Sequence, residues 1–200
     1  MPSALALIVI LISIQTFALV APEFSVKTMS ITESQDLPPS GKPPAAISWM
    51  TKLVSDDEAG EPLIVTGTVY APDGKKPLEG VVMYVYQTDA SGVYNRTDRS
   101  WQRPRLRGWV KTDAGGRYEI HTIKPGSYPG SKNPAHIHAT VTLPGGVERW
   151  IDEFLFDGDP FLSEMDRAQA NEGDFSNVMR IHRGVDGILR CVRNIKLNAK

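Results

Sequence analysis

The chain has 200 residues, a hydrophobic content of 41%, and 22 basic against 23 acidic residues, for a formal charge of −1. This length allows one substantial core, and the near-neutral charge gives no long-range field for phosphate backbones, which argues against nucleic acid as a partner. The single cysteine, Cys191, excludes an internal disulfide and any thiolate cluster, so a metal site would need His, Tyr or carboxylate ligands.

The first segment, residues 4–21, is apolar apart from three polar side chains, which is typical of an export signal or a short membrane anchor. We therefore assign residues 1–21 to a signal peptide or membrane anchor and expect the remaining chain to lie outside the cytoplasm. The small residues Thr16 and Ala18 would permit cleavage before Leu19. No basic residue precedes the apolar stretch, so the choice between secretion and a membrane tether stays open.

The next segment, residues 22–61, contains paired prolines, isolated glycines and an acidic run at 56–58, which predicts a linker or an arm laid over the domain. Apolar residues near its end, including Trp49 and Leu53, suggest that part of the arm docks.

Short β-rich runs separated by turn signals begin at residue 62 and predict one domain over residues 62–200. The predicted strands are 63–70, 81–87, 108–112, 118–123, 135–143, 150–156 and 188–197. A short helical pattern covers residues 161–170. Strands at this spacing without crossover helices favour an all-β fold, an antiparallel β-sandwich with long loops, over a parallel α/β sheet.

Two histidines stand two residues apart in a predicted strand, so His136 and His138 share one face of it. Such a pair can bind a metal ion, but two surface or hydrogen-bonded histidines explain it equally well. Tyr94 and Tyr128 lie in predicted loops, where a side chain can be aimed at a site. By contrast, Tyr84 and Tyr86 alternate within a strand, which predicts packing roles.

Four segments follow one another along the chain: QTDASGVYNR at 87–96, RGWVKTDAGGRYEIHTIKPGSYPG at 107–130, PAHIH at 134–138 and FDGDP at 156–160. In order and spacing they resemble the catalytic domain of the intradiol ring-cleavage dioxygenases, over roughly residues 62–197. The TIKPGSYP form is closer to the protocatechuate branch than to the catechol branch. The joint occurrence of the four segments is far more specific than any one of them.

The resemblance implies that one Fe(III) ion is bound by four side chains, Tyr94, Tyr128, His136 and His138. Phenolates are hard anionic donors that favour Fe(III), and imidazoles complete the ligand set without adding charge. The resemblance further implies that a catechol-type ortho-dihydroxy aromatic chelates the iron while Tyr128 moves away and accepts a proton. Reaction with O₂ then cleaves the ring between the hydroxyl-bearing carbons to a muconate-type diacid.

Two positions depart from the family pattern and join Tyr128 as candidate catalytic positions. Asn133 stands where the family usually has an arginine, three residues before the first histidine, and Glu153 replaces a neutral polar residue. Losing a cation and gaining an anion disfavours a dianionic substrate, and one lost charge-stabilising group typically costs ~3 kcal/mol of barrier.

Two alternatives to an active dioxygenase follow. One is a sandwich that keeps the metal and binds aromatics but is catalytically weak, and the other is a metal-free, transthyretin-like structural domain. The sequence leaves open whether the chain forms an oligomer.

Overall fold

In a computed structural model of the chain, residues 41–97, 104–170 and 173–198 are described. The predicted export or anchor segment and the first part of the predicted arm lie outside these residues. No helix within the described ranges has the length and apolar character needed to cross a membrane.

The described residues form twelve strands, which are β1 Met50–Lys52, β2 Pro62–Tyr70, β3 Val82–Gln87, β4 Leu106–Lys111, β5 Arg117–Ile123, β6 His136–Thr142, β7 Glu148–Trp150, β8 Phe154–Phe156, β9 Val178–Met179, β10 His182–Arg183, β11 Leu189–Val192 and β12 Ile195–Lys196. One helix, α1, spans Glu164–Gln169, and a 3-10 turn spans Gly173–Phe175. Helix α1 begins in a capping box, because Ser163 and Asp166 each accept a backbone N–H of the other.

The strands form two sheets and the described residues contain almost no helix, so the predicted all-β class is confirmed in its main part. The first sheet has the order β1-β5-β2-β11-β10, with β12 also paired to β2. The second has the order β4-β3-β6-β8-β9, with β7 also paired to β6.

Both sheets are mixed, which corrects the expectation of an antiparallel sandwich. Four strand pairs are parallel: β1–β5, β2–β11, β2–β12 and β8–β9. Parallel partners need a long connection rather than a tight turn. Here the parallel partners are distant in sequence; β8 and β9, for example, are separated by residues 157–177. A turn pattern in the sequence predicts only pairing between neighbouring strands, so it does not predict these pairs.

Five of the predicted strands agree with the structure to within two residues at each end, whereas two predicted runs are each split in two. The run 188–197 becomes β11 and β12. At the gap between them, the Asn194 side-chain oxygen accepts the Thr68 N–H at 3.0 Å and interrupts the backbone ladder to β2. The run 150–156 becomes β7 and β8, for a reason that bears on the candidate site.

The core lies between the two sheets and follows from strand alternation. In β3, Met83 and Val85 face the core, and in β6 Ile137 and Ala139 do the same. Cys191 also belongs to this core with 3% exposure, and burial raises the pKa of its thiol to about 12, as expected of an inert side chain.

The end of the predicted arm is part of the sandwich. Strand β1 pairs with β5, and Leu53 is buried in the core beneath it.

Candidate metal centre

Four side chains converge on the outer face of the second sheet. The Tyr94 hydroxyl contacts the Tyr128 hydroxyl and lies 2.7 Å from His138 Nε2. The Tyr128 hydroxyl lies 2.8 Å from His136 Nε2 and 3.3 Å from His138 Nε2. The two Nε2 atoms are 3.0 Å apart. Two oxygens and two nitrogens therefore surround one point.

Strand pairing sets the histidine half of this cluster. Because Ile137 faces the core, its neighbours His136 and His138 face outward from β6. On the neighbouring strand, Tyr86 is the register partner of His138, and the two rings stack with centroids 4.6 Å apart. The alternation predicted from the sequence thus places both imidazoles on one face, and Tyr86 fixes the plane of the second.

Two loops supply the tyrosines. The first tyrosine loop, residues 88–97, follows β3 and carries Tyr94, and the second tyrosine loop, residues 124–135, follows β5 and carries Tyr128. Within the first loop, the buried Asp89 carboxylate accepts the N–H of Ser91 at 2.9 Å and its hydroxyl at 2.6 Å. Burial raises the pKa of Asp89, but the hydrogen bonds from Ser91, Val93 and Arg96 together lower it by more, so the carboxylate stays charged and holds the loop closed.

The two tyrosine loops are also locked to each other. The Gly126 N–H donates to the Asp89 carbonyl at 2.9 Å. Gly92 has a φ of +81°, and a Cβ at this position would lie only 1.9 Å from the Ser127 carbonyl oxygen. Only glycine fits this approach, because a side chain would clash with backbone and would also strain the local conformation. The separation of the two phenols is therefore set by backbone contact between the loops.

The hydrogen bonds on the far side of each imidazole fix its tautomer. His136 Nδ1 lies 2.7 Å from the Pro134 carbonyl oxygen, which can only accept, so Nδ1 carries the proton. His138 Nδ1 lies 3.0 Å from a carboxylate oxygen of Glu153. Burial raises the pKa of Glu153, but the hydrogen bond from His138 and the neighbouring imidazoles lower it by more, so this group also accepts. Both Nε2 atoms thus face the cluster without a proton.

The same environment keeps Tyr94, Tyr128 and His136 uncharged. Burial, followed by the hydrogen bond with Tyr128, raises the pKa of Tyr94 far above its usual range, and burial also raises the pKa of Tyr128. Burial lowers the pKa of His136, which favours the neutral ring.

A shared cation fits this donor set. The two hydroxyl protons can serve one contact to each imidazole, and this leaves no proton between the two hydroxyl oxygens or between the two Nε2 atoms. A cation at the common point would relieve both of these contacts, and its field would drive the protons from the buried phenols. Two phenolate oxygens with two imidazole nitrogens suit Fe(III) better than zinc or magnesium.

Glu153 reaches His138 through a β-bulge. Strand β6 pairs with β7 at Thr140, opposite Trp150, and with β8 at Ile137, opposite Phe154. Two residues, 138–139, lie between these positions on β6, but three residues, 151–153, lie between their partners. The extra residue shifts the register by one. Without it Glu153 would lie opposite Ile137 and face the core, and with it Glu153 lies opposite His138 on the outer face. The bulge also explains why the predicted strand 150–156 is split.

The two departures from the family pattern have different surroundings. Glu153 contacts His138, as described above, while Asn133 is exposed in the second tyrosine loop, where its backbone N–H donates to the Ser131 hydroxyl at 3.0 Å. The structure brings Glu153 to the cluster and leaves Asn133 at the surface.

A cavity of about 430 Å³ opens beside the four donors. Its lining within the described residues is Tyr86, Gly92, Val93, Tyr94, Tyr128, Pro129 and His138. This volume lies in the usual range for small-molecule sites, and the lining is largely aromatic and apolar. Three of the four donors, Tyr94, Tyr128 and His138, therefore face a space that can hold a flat ring.

Two supporting residues were not identified from the sequence. Asp159 is buried, and its carboxylate accepts the N–H of Ala135 at 3.1 Å and that of Phe161 at 2.9 Å, which anchors the chain entering β6. It belongs to the FDGDP segment, where a buried acidic residue beside glycine and proline was the available signal. Tyr86 was assigned to packing; it is buried as expected, and it also lines the cavity.

Comparison with known proteins gives consistent matches. A family model described as "Dioxygenase" matches residues 43–184. The chain is 29% identical to catechol 1,2-dioxygenase 2 of Acinetobacter lwoffii over 162 residues, which are 73% of this chain and 53% of that relative. It is 34% identical to the protocatechuate 3,4-dioxygenase beta chain of Burkholderia cepacia over 114 residues, which are 52% of this chain and 48% of that relative. The chain thus spans about half the length of these curated relatives.

Among solved structures, the dioxygenase domain of a dioxygenase carbohydrate-binding protein fusion from Streptomyces sp. SirexAA-E is similar to this chain. The match covers 80% of this chain and 95% of that domain, with 27% identity and a TM-score of 0.58.

Proposed function

Since the chain belongs to the intradiol ring-cleavage dioxygenase family, we propose that it is a non-haem Fe(III) dioxygenase acting on a catechol-type ortho-dihydroxy aromatic. The ring is cleaved between its hydroxyl-bearing carbons with O₂, and the product is a muconate-type diacid. The ion is held by Tyr94, Tyr128, His136 and His138. The observation that carries this proposal is the convergence of these four donors, with both Nε2 lone pairs facing the common point.

When bound, Fe(III) supplies the Lewis acidity that draws electron density from the diol and makes the ring reactive toward O₂. The protein's own contribution is orientation and proton transfer. Gly92, Val93 and Pro129 bound the cavity with apolar surface, and Tyr86 adds an aromatic wall. A single flat ring placed there can direct its hydroxyl groups at the donors that line the cavity, Tyr94, Tyr128 and His138, which lowers the entropy cost of reaching the reactive geometry.

Tyr128 is the residue placed to accept a proton from the diol. It is partly exposed beside the cavity, whereas Tyr94 is 8% exposed and lies between Tyr86 and His138. Charge balance supports this role. Two phenolates already offset two positive charges of Fe(III), so a doubly deprotonated diol leaves an excess negative charge unless one phenolate departs as a neutral phenol.

The first test is the visible spectrum of the protein purified with iron. Phenolate-to-iron absorption should be present in the wild type, changed in Tyr128→Phe and lost in His136→Ala. An unchanged spectrum in both variants would remove the proposed site. A wild-type protein that binds iron but lacks this absorption would also contradict it.

The second test is oxygen uptake with catechol, hydroxyquinol and protocatechuate. Uptake with one of them, together with a diacid product, supports the dioxygenase. The presence of Glu153 beside His138, and of Asn133 in place of an arginine, favours one alternative, an aromatic-binding iron protein with weak catalysis. That alternative predicts the absorption band, a spectral change on adding catechol, and no oxygen uptake.

A further inference from the structure

We infer that Glu153 is a positioning residue for His138, and that its negative charge makes the bound iron a weaker Lewis acid than a neutral hydrogen-bond partner would. This inference rests on the proposed function, because it concerns the same metal centre. It assigns different roles to the two imidazoles, which the ligand set alone does not distinguish.

The first support is the contrast between the two Nδ1 contacts. His136 donates to a neutral carbonyl, that of Pro134, and His138 donates to the Glu153 carboxylate. A carboxylate partner pulls the Nδ1 proton more strongly and gives the ring partial imidazolate character, so its Nε2 becomes a stronger electron donor. The His138 side of the centre is therefore the more electron-rich side.

The second support is the backbone. Glu153 reaches the outer face only because of the extra residue in the bulge at 151–153. In an unbroken strand its side chain would face the core, where an unpaired charge is costly. Bulges of this kind commonly re-aim a side chain next to a functional site. The placement of the carboxylate is thus built into the register of the sheet.

Glu153 does not act as a further ligand in this arrangement. The potential ligand atoms of His136, His138 and Glu153 lie within 4.8 Å of one another, which by itself is compatible with a three-residue metal site. However, the carboxylate contacts Nδ1 of His138, on the side of the ring away from the Nε2 that faces Tyr94. It therefore acts on the centre through the imidazole.

The solvent exposure of Glu153 sets how much iron affinity is lost when its charge is removed. The Glu153 side chain is 46% exposed, so water screens part of its charge. Loss of a partner of this kind usually lowers metal affinity by roughly 10–100-fold, and the exposure places this site near the lower end.

The experiment compares iron-loaded wild type with Glu153→Gln and Glu153→Ala. Glutamine keeps an acceptor oxygen for Nδ1 but removes the charge, and alanine removes both. The matched control is Glu119→Gln, because Glu119 is also a carboxylate that contacts an imidazole, at Nε2 of His121 on β5, outside the centre. Two quantities are measured: the wavelength of the phenolate-to-iron absorption, and the rate of iron release to EDTA. Circular dichroism and the melting temperature show that each variant is folded.

Removing the charge should make the iron a stronger Lewis acid, so Glu153→Gln should shift the absorption to longer wavelength and release iron a few-fold faster. Glu153→Ala should release iron roughly tenfold faster, because the ring is also free to turn. Glu119→Gln should match the wild type in both measurements. If Glu153→Ala does not fold, Glu153→Gln decides the question alone.

Two outcomes overturn different statements. A wild type with the absorption band, and a Glu153→Gln variant identical to it in wavelength and release rate, would refute the role of Glu153 and leave the iron centre intact. Absence of the band in the wild type would refute the centre itself, and the inference with it.

Discussion

Replacing Gly92 by alanine tests whether contact between the two tyrosine loops assembles the site. The new Cβ would lie 1.9 Å from the Ser127 carbonyl oxygen, and contacts below 3.0 Å are essentially never observed, so one loop must move by about 1 Å. The φ of +81° adds about 1–2 kcal/mol of backbone strain, and overpacking adds about 1–3 kcal/mol. The expected loss of stability is therefore about 2–5 kcal/mol.

Gly145→Ala provides the matched control. Gly145 has a φ of +69° in the turn after β6, and a Cβ there meets nothing within 4 Å. This variant carries only the backbone strain, about 1–2 kcal/mol. The difference between the two variants isolates the cost of forcing the loops apart.

The assay is thermal unfolding together with the visible spectrum of the iron-loaded proteins. For a chain of this length, each kcal/mol lowers the melting temperature by roughly 2–4 °C, so Gly92→Ala should melt roughly 4–20 °C below the wild type and Gly145→Ala roughly 2–8 °C below it. Gly92→Ala should also weaken the phenolate-to-iron absorption, which Gly145→Ala should leave unchanged. Equal melting temperatures for the two variants, with equal spectra, would show that the close approach does not matter.

Three further predictions concern supporting residues. Asp159→Ala leaves two backbone N–H groups without their acceptor and should cost about 2–4 kcal/mol in urea unfolding, with the exposed neighbour Asp157→Ala affected less. The hydrogen bond from Arg105 lowers the pKa of Glu58 below its usual 4.5, so this pair contributes stability above that pH and loses it as the pH falls. The melting-temperature difference between wild type and Glu58→Gln should accordingly shrink from pH 6 to pH 3. Tyr86→Leu removes an aromatic wall of the cavity and should raise KM for catechol roughly tenfold, whereas Tyr86→Phe, which keeps the ring, should raise it less.

The local part of the fold was predictable because it depends on near neighbours in sequence. Period-two alternation placed His136 and His138 on one face of a strand, and the structure agrees. Tyr94 and Tyr128 were identified as ligands from the family resemblance, because the sequence around each of them does not predict that their loops are in contact. That meeting depends on contacts such as the one between Gly92 and Ser127, which are distant in sequence.

The register of the sheet was the main feature that the sequence analysis missed. In residues 150–156, Ile151 packs against the core and so do Phe154 and Phe156, so the core-facing positions change from odd to even within the run. In a continuous strand every second residue faces the core, so this change from odd to even positions indicates a bulge. Reading the run as one strand concealed the position of Glu153. The parallel pairings were missed for a related reason, because they join segments whose order in the sheet has no local signal.

The pairing of β2 with β11 and β12 has a consequence for how the protein is made. The Thr68 N–H finds its acceptor on Asn194, 126 residues later in the chain, and the middle strand of the first sheet has no neighbour on that side until β11 arrives. Contacts at such separation form slowly, and an unpaired strand edge invites association with other chains. During synthesis one edge of β2 therefore stays unpaired until residues 189–196 leave the ribosome. The nascent chain is most prone to misassembly in that interval.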